Sequence, residues 1–461
     1  MSQIIYREVK ERLYDRYIAP IGNKKSVYAG IELELPIVNL RREAADFTLV
    51  HDLTFRFGQS FNFVIDKFDD EGNPLALIDY VTGDIFTFDC SYNTLELSLG
   101  ITENLWEAEK RIRSYLEFIQ TFLQKHDHTL VGMGTNPYRE YNKQIPIPNG
   151  RYRMLFHHLS SYQKYCAYKR FLPYPAFGMF IAASQTQLDI LPGRLIRTLK
   201  TFNALEPYKS VLFANSPMKN EGLLLSRDRL WGDSMQGFNS RNVGMHDPVP
   251  KSEDELLSYW MGSSLYCTQR GDKYYNFAPT PLREYYAKPK ITAEYFKDGC
   301  YHTEEIEPSI DDLEYFRTFK FQDPTFRGTI EFRSVCTQPL RERMTSSAFH
   351  LGLIDCLDEL DEVLSKDPLY KHGMSAASLR ELLNKEHWPD FIDREALSKT
   401  LIRILTIAEK SLRNHQKGEE EFLQPLYDRA QRLMPPAREY TDRRLAGESE
   451  ENLILDFAAL S

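Results

Sequence analysis

Along residues 26–40, SVYAGIELELPIVNL, apolar and polar positions alternate. Successive side chains of an extended chain point to opposite faces. Tyr28, Gly30, Glu32 and Glu34 therefore share one side, and Ala29, Ile31, Leu33 and Leu35 the other. The aliphatic side reads as core. The same alternation predicts strands in DIFTFDC (84–90), NTLELSLG (93–100), AFGMFIAASQTQLDI (176–190) and GTIEFRSV (328–335). A helical period replaces it over about 104–125, where Leu105, Ala108, Ile112, Tyr115, Leu116, Ile119, Phe122 and Leu123 recur. Asn104 with Glu107 has the form of a capping box. A further helix is expected over about 193–213, and from about Gln338 onward the pattern is helical, most clearly in REALSKTLIRILTIAEKSLRNH. Residues 133–155 read as a loop entering a helix. Residues 214–249, rich in Asn, Ser, Gly and Pro, read as a long functional loop.

The polar side of each strand carries the chemistry. Leu95, Leu97 and Leu99 oppose Glu96 and Ser98, and Ile330 and Phe332 oppose Glu331 and Arg333. Ala183, Gln185, Gln187 and Asp189 share a side. With Glu32, Glu34 and Asp89, this predicts a sheet with one apolar side against helices and one acidic side. If the strands are neighbours, carboxylates lie within cross-strand distance, where like charges destabilise pairing, so a positive group must sit among them. A hard cation, Mg²⁺ in particular, suits such Asp, Glu and Gln oxygens and binds substrate phosphates as well. The alternative is a set of independent strand faces, each turned to water. No P-loop or G-x-G-x-x-G occurs, so phosphates would be held by metal and by arginines. Arg151 and Arg153 in GRYRML, Arg227 and Arg229 in SRDRLW, and Arg333 supply forks that match phosphate oxygens.

Composition narrows the partners. A chain of 461 residues with 42% hydrophobic content can bury a large core, as one domain with subdomains or as two domains. A formal charge of −9 disfavours nucleic acid. No apolar run approaches the roughly 20 residues of a membrane helix, and the charged start MSQIIYREVKERLYDRY argues against a signal peptide, so no membrane partner and a cytoplasmic location are expected. Six cysteines without a C-x-x-C pair predict free thiols. His157-His158 reads as an ordinary loop or helix-start pair.

These segments together resemble the glutamate–cysteine ligases, within the carboxylate–amine ligases related to glutamine synthetase. GIELEL resembles that family's G-x-E-x-E strand. DCSYNTLELSLG resembles its acidic pair, with Asp89 and Glu96 seven apart as in the bacterial branch. PNGRYRML resembles the P-x-G-R-Y segment of the plant-like branch, and SQTQLD its V-Q-x-N-L-D strand. FANSP followed by SRDRLW resembles its A-N-S-P and S-x-R-x-x-x-W elements, and TIEFRS resembles the family's I-E-x-R-S strand. The likeness runs from about residue 26 to residue 340.

The resemblance implies an α+β, glutamine-synthetase-like fold: about six antiparallel strands curled into an acidic bowl, with helices outside. Residues 1–340 would form the catalytic core and 341–461 a helical C-terminal cap packed on it as one structural unit. It implies metal ligation by Glu32, Glu34, Asp89, Glu96 and Glu331, with Gln185 where the bacterial branch has a metal-binding histidine. Arg333 and Arg227 would be catalytic, near phosphate or the acyl substrate, and Arg151, Arg153, Arg229 and Gln187 would bind ATP or substrate. The implied reaction joins glutamate to cysteine with ATP and Mg²⁺ through an acyl phosphate, in a monomer or homodimer. Ligation of a different amino-acid or peptide pair, a phosphotransferase, and a binding protein on the same fold are the alternatives. Two departures bear on the acceptor pocket: Gln187 stands where the plant-like branch has Asn, and SRDRLW shifts the arginine pattern. The chain is too short for the fused second ligase of bifunctional glutathione synthases.

Overall fold

The computed structural model describes residues 3–218 and 221–461. The alternation around Glu32 becomes strand β1, Ala29–Asn39, in which Ala29, Ile31, Leu33 and Leu35 are at most 2% exposed and enter the main apolar core. Further strands are β2 (Val64–Phe68), β3 (Pro74–Ile78), β4 (Ile85–Phe88), β5 (Thr94–Thr102), β6 (His128–Leu130) and β7 (Ser184–Asp189). They are followed by β8 (Val243–Gly244), β9 (Ser264–Arg270), β10 (Lys273–Pro281), β11 (Ile291–Lys297), β12 (Cys300–Ile306), β13 (Phe319–Lys320), β14 (Gln322–Pro324) and β15 (Thr329–Phe332).

The main sheet has nine strands in the order β14-β15-β7-β1-β5-β4-β3-β2, with β6 paired to the end of β1. Each of its pairings is antiparallel. The sheet is wider than the expected six or so strands for a physical reason. β2 is exposed at every position, and β6 and β14 are only three residues long, so none shows an alternating apolar face. A second antiparallel sheet, β12-β11-β10-β9, and a two-residue parallel pair, β13-β8, complete the strands.

Four expectations are corrected locally. Only Ser184–Asp189 of the long apolar segment is strand, since Pro175–Met179 winds into a buried 3₁₀ turn. The helix Leu105–Gln124 is capped by Asn104, whose side chain accepts from the Trp106 N–H, but Thr102 Oγ1, not Glu107, accepts from the Asn104 N–H. Residues 214–249 include the helix Ser226–Gly232 and short 3₁₀ turns rather than a plain loop. His157 and His158 close the helix Gly150–Ser160 instead of opening one.

Helices after residue 340 follow the expected pattern, including Arg394–His415. The helix Thr345–Leu353 lies on β7, where Ser346 Oγ donates to the Ser184 carbonyl at 3.1 Å and Ser347 and Thr186 hydroxyls meet at 3.2 Å. One apolar core extends from Val9 to Leu433. All six cysteines are unpaired. No helix among the described residues is long and apolar enough to cross a membrane.

Candidate active site

Strand register brings the polar faces into line. Glu34 of β1 stands directly opposite Glu96 of β5, and Glu32 stands between Ser98 on one side and Gln185 of β7 on the other. Gln187 pairs with Glu331 of β15, and Glu331 in turn faces Asp323 of β14. Asp89 lies in the turn just after β4, its N–H donating to the Thr94 carbonyl at 3.2 Å. Two cross-strand pairs of like charge therefore occur in one sheet, which destabilises it unless the charge is compensated.

The carboxylates take what donors the sheet offers. Glu34 accepts from Ala183 N–H at 2.7 Å and Gln185 Nε2 at 2.6 Å, Glu32 from Gln187 Nε2 at 2.7 Å, and Glu96 from Ser98 Oγ at 2.7 Å. Burial, then the charges of Asp89 and Glu96, pushes Glu34 up to about 8. Burial and then Asp89 pushes Glu96 up to about 7. Glu32 is raised well above the carboxylate range by burial, Glu331 and Glu96, and Asp89 is raised by burial against the opposing Arg151 charge. Strand faces independently turned to water would not behave in this way.

A stability profile follows. Folded Glu34 and Glu96 keep their protons up to about pH 8 and 7, whereas unfolded they release them near 4.5. The folded state binds the extra protons between those limits, so metal-free stability is expected to fall as pH rises from about 5 to about 8. Melting curves in chelator across that range check the sign, and a level or rising profile would contradict it.

The donor chemistry fits a hard cation. Glu32, Glu34, Asp89, Glu96, Glu331 and Gln185 present oxygen to a cation, and Gln185 Oε1 is buried without a hydrogen-bond partner among the described residues. Among the described residues, no three Asp, Glu, His or Cys side chains already converge on one point. The carboxylates turn instead to the amide, hydroxyl and guanidinium groups just named.

Arg333 sits within this face, its Nη1 donating to Glu331 Oε2 at 2.5 Å. Burial works against its charge, yet Glu331, Asp323 and Glu32 outweigh it and raise its pKa. Arg151 and Arg333 line a cavity of about 230 Å³ together with Glu32, Gln187, Asp323 and Glu331, opposite an apolar wall that includes Trp260, Phe316, Phe319 and Phe326. Arg227 is buried beside the face. Its Nη atoms donate to the Ser334 and Arg333 carbonyls at 3.5 Å, its Nε has no partner among the described residues, and its charge opposes the rise at Glu34.

A model of the glutamate–cysteine ligase family 2 matches residues 28–457. The chain belongs to that family. It is 24% identical over 286 residues to the chloroplastic glutamate–cysteine ligase of Solanum lycopersicum, covering 58% of this chain and 49% of the relative. The Arabidopsis thaliana enzyme of the same name is 24% identical over 276 residues, with the same two coverages. The chain thus spans about half the length of the curated relatives it matches. Among solved structures, glutamate–cysteine ligase from Francisella tularensis in complex with AMP aligns with TM-score 0.46 and 12% identity, over 95% of this chain and 88% of that one. A bifunctional glutathione synthetase from Pasteurella multocida aligns with TM-score 0.44 and 13% identity, over 99% of this chain and 53% of that one.

Two arginines of the family-like segments stand apart from the site. Arg153 pairs with Asp70 at 2.8 Å and lies over the Phe296 ring, lining a separate cavity of about 220 Å³. Arg229 pairs with Glu221 and with Asp233 near the surface. The reason is helical geometry. Arg151 and Arg153 lie in one helix, as do Arg227 and Arg229, and residues two apart on a helix point about 200° away from each other. Asp189, at the end of β7, is also separate, paired with Lys24.

Asp323 is the site residue that sequence pattern missed. Thr318 Oγ1 donates to both its oxygens at 2.6 and 2.7 Å, and burial pushes it up to about 6 despite those bonds and the nearby Arg333. Arg327, whose Nη1 donates to Gln187 Oε1 at 3.4 Å, also lines the cavity. The available signal was the turn-rich stretch TFRG between QDP and TIEF, which reads as a hairpin joining Asp323 to the Glu331 strand.

Proposed function

We propose that this chain is an ATP- and Mg²⁺-dependent ligase that joins the side-chain carboxylate of glutamate to the amine of cysteine, forming γ-glutamylcysteine. Family membership supports the reaction class, and the opposed pair Glu34–Glu96 on a partly buried acidic face carries the reading at this site. A glutamate γ-carboxylate oxygen attacks the γ-phosphorus of ATP and ADP leaves. The neutral cysteine amine then attacks the acyl carbon, phosphate leaves with the carbon–oxygen bonding pair, and the proton lost from nitrogen passes to that phosphate. Glu32, Glu34, Asp89, Glu96, Gln185 and Glu331 would hold Mg²⁺. Bound there, the cation supplies charge neutralisation and alignment for phosphoryl transfer.

Arg333 then presents fixed donors to the charge that develops on the transferring group, while Arg151 and Gln187 orient substrate in the cavity. Arg227 holds positive charge behind Glu34. The fold reading that accompanies this is a glutamine-synthetase-like bowl, with 1–340 as the catalytic core and 341–461 as its helical support. The protein would work in the cytoplasm, as a monomer or homodimer.

A second reading rests on Gln187. Its side chain is longer than the Asn of the plant-like branch, it lines the cavity, and it is bonded to Glu32. A changed acceptor pocket would favour a different amine partner in the same chemistry. ADP release measured across a panel of donor and acceptor amino acids tests both. Release is expected only with donor and acceptor together, fastest with glutamate and cysteine. Another best acceptor would favour the second reading. Full release with donor alone would make the protein a phosphotransferase, and none with any pair would leave a binding protein.

A further inference from the structure

Behind the acidic face lies a buried network whose charges cancel. Glu206, on the helix Leu195–Phe213, is wholly buried, and its Oε1 accepts from Lys209 Nζ at 2.6 Å, Gln322 Nε2 at 2.5 Å and Ser334 Oγ at 3.0 Å. Its Oε2 accepts from Arg380 Nη1 at 2.7 Å. Arg380, on the C-terminal helix Ala376–Leu383, sends Nε and Nη2 to the two oxygens of Asp228 at 2.7 and 3.1 Å, and its guanidinium lies 4.5 Å from the centre of the Phe321 ring. Two carboxylates thus meet two cations.

Both ends of the network touch the candidate site. Gln322 precedes Asp323, and Ser334 follows Arg333. Asp228 follows Arg227 in the helix Ser226–Gly232. Arg227 itself has no ion pair among the described residues; its Nη atoms donate to the Ser334 and Arg333 carbonyls, while Arg380 holds both oxygens of the adjoining Asp228. Buried ion pairs add little net stability over apolar packing, but a two-point guanidinium fork fixes geometry that a lysine cannot.

We infer that Arg380 is a positioning residue for the reaction: from the C-terminal helices it clamps Asp228 and Glu206, and so sets where Arg227 and the Arg333 strand stand over the acidic face. The inference rests on the ligase reading above. Arg380→Lys keeps a positive charge for Glu206 and loses the fork on Asp228. It is expected to lower kcat about 10- to 100-fold at saturating Mg²⁺ while the KM for ATP stays within about twofold.

The double variant Arg227→Lys/Arg380→Lys is expected to lose less than the product of the two single losses in kcat, because part of the Arg380 effect acts through the Arg227 guanidinium. Should Arg380→Lys fail to fold, Asp228→Asn removes the other half of the clamp and is expected to give the same loss of kcat. Undiminished kcat with a lowered melting temperature, or fully additive losses in the double variant, would overturn the inference and leave Arg380 a structural residue. Wild type is assayed in parallel. No ADP release from it with any pair overturns the ligase reading and this inference together, whereas release from wild type with full kcat in both single variants overturns this inference alone.

Discussion

Glu96→Gln is expected to abolish turnover and, in the metal-free protein at pH 7 to 8, to raise the melting temperature. The two effects have one cause. Burial, then the charge of Asp89, raises the cost of charging Glu96, and the charge of Glu96 in turn adds to the cost at Glu34 opposite it. A carboxyl that ionises near 4.5 unfolded and about 7 folded costs roughly 3 kcal/mol at pH 7. Relief of that cost corresponds to about 3 °C for a chain of this length unfolding as one unit. A structural carboxylate would show the reverse: lower stability, retained activity. Glu331→Gln provides the contrast, because Glu331 is paired with Arg333 at 2.5 Å. It too is expected to lose turnover, but with lower stability, since it leaves a partly buried guanidinium less well paired. Activity within about tenfold of wild type in either variant, roughly 1.4 kcal/mol of barrier, would remove that residue from the proposed metal ligands. Added Mg²⁺ should stabilise wild type more than Glu96→Gln, which a melting series in chelator and in Mg²⁺ measures.

How far the site could be read from sequence depends on which periodicity carried each residue. Glu32, Glu34, Glu96 and Glu331 were legible because a strand alternates strictly and the leucine or isoleucine beside each declares its face, while Gln185 followed from its parity with Gln187. Their coming together needed pairing order, which places β5 and β7 on either side of β1. The arginines were less legible. GRYRML and SRDRLW look like doubled candidates in one dimension, but a helix turns Arg153 and Arg229 away from their partners. Asp323 was missed because a three-residue strand ending in proline has no period to read, and only the turn-rich TFRG after it points to a pairing with the Glu331 strand. The second sheet was missed for a related reason: β12, CYHTEEI, is exposed at all but its last residue, so neither parity is apolar. The C-terminal helices showed their apolar stripes plainly, yet Arg380 looked like any helix-surface arginine, and only burial against Asp228 and Glu206 distinguishes it.

Arg333→Lys is expected to lower kcat on the order of 10²-fold while leaving the protein folded, the loss typical of one fixed transition-state donor. Arg333 stands among Glu331, Asp323 and Glu32, so a purely compensating role is the competing account. The two roles differ in what a lysine can replace. A counter-ion needs one positive charge, which lysine supplies; its loss of fit would appear as lower stability and weaker Mg²⁺ affinity with modest change in kcat. A clamp on the phosphoryl group needs a planar fork with one edge left for substrate after Glu331 has taken the other. Only one nitrogen of Arg333 is committed to Glu331 in the sheet, and the guanidinium lines the cavity alongside Arg151. That placement favours the clamp. Rate measurements at saturating Mg²⁺ and ATP, beside melting curves of the same preparations, decide between them. Unchanged kcat and kcat/KM in Arg333→Lys would assign Arg333 to compensation alone and leave Arg151 to carry the developing charge.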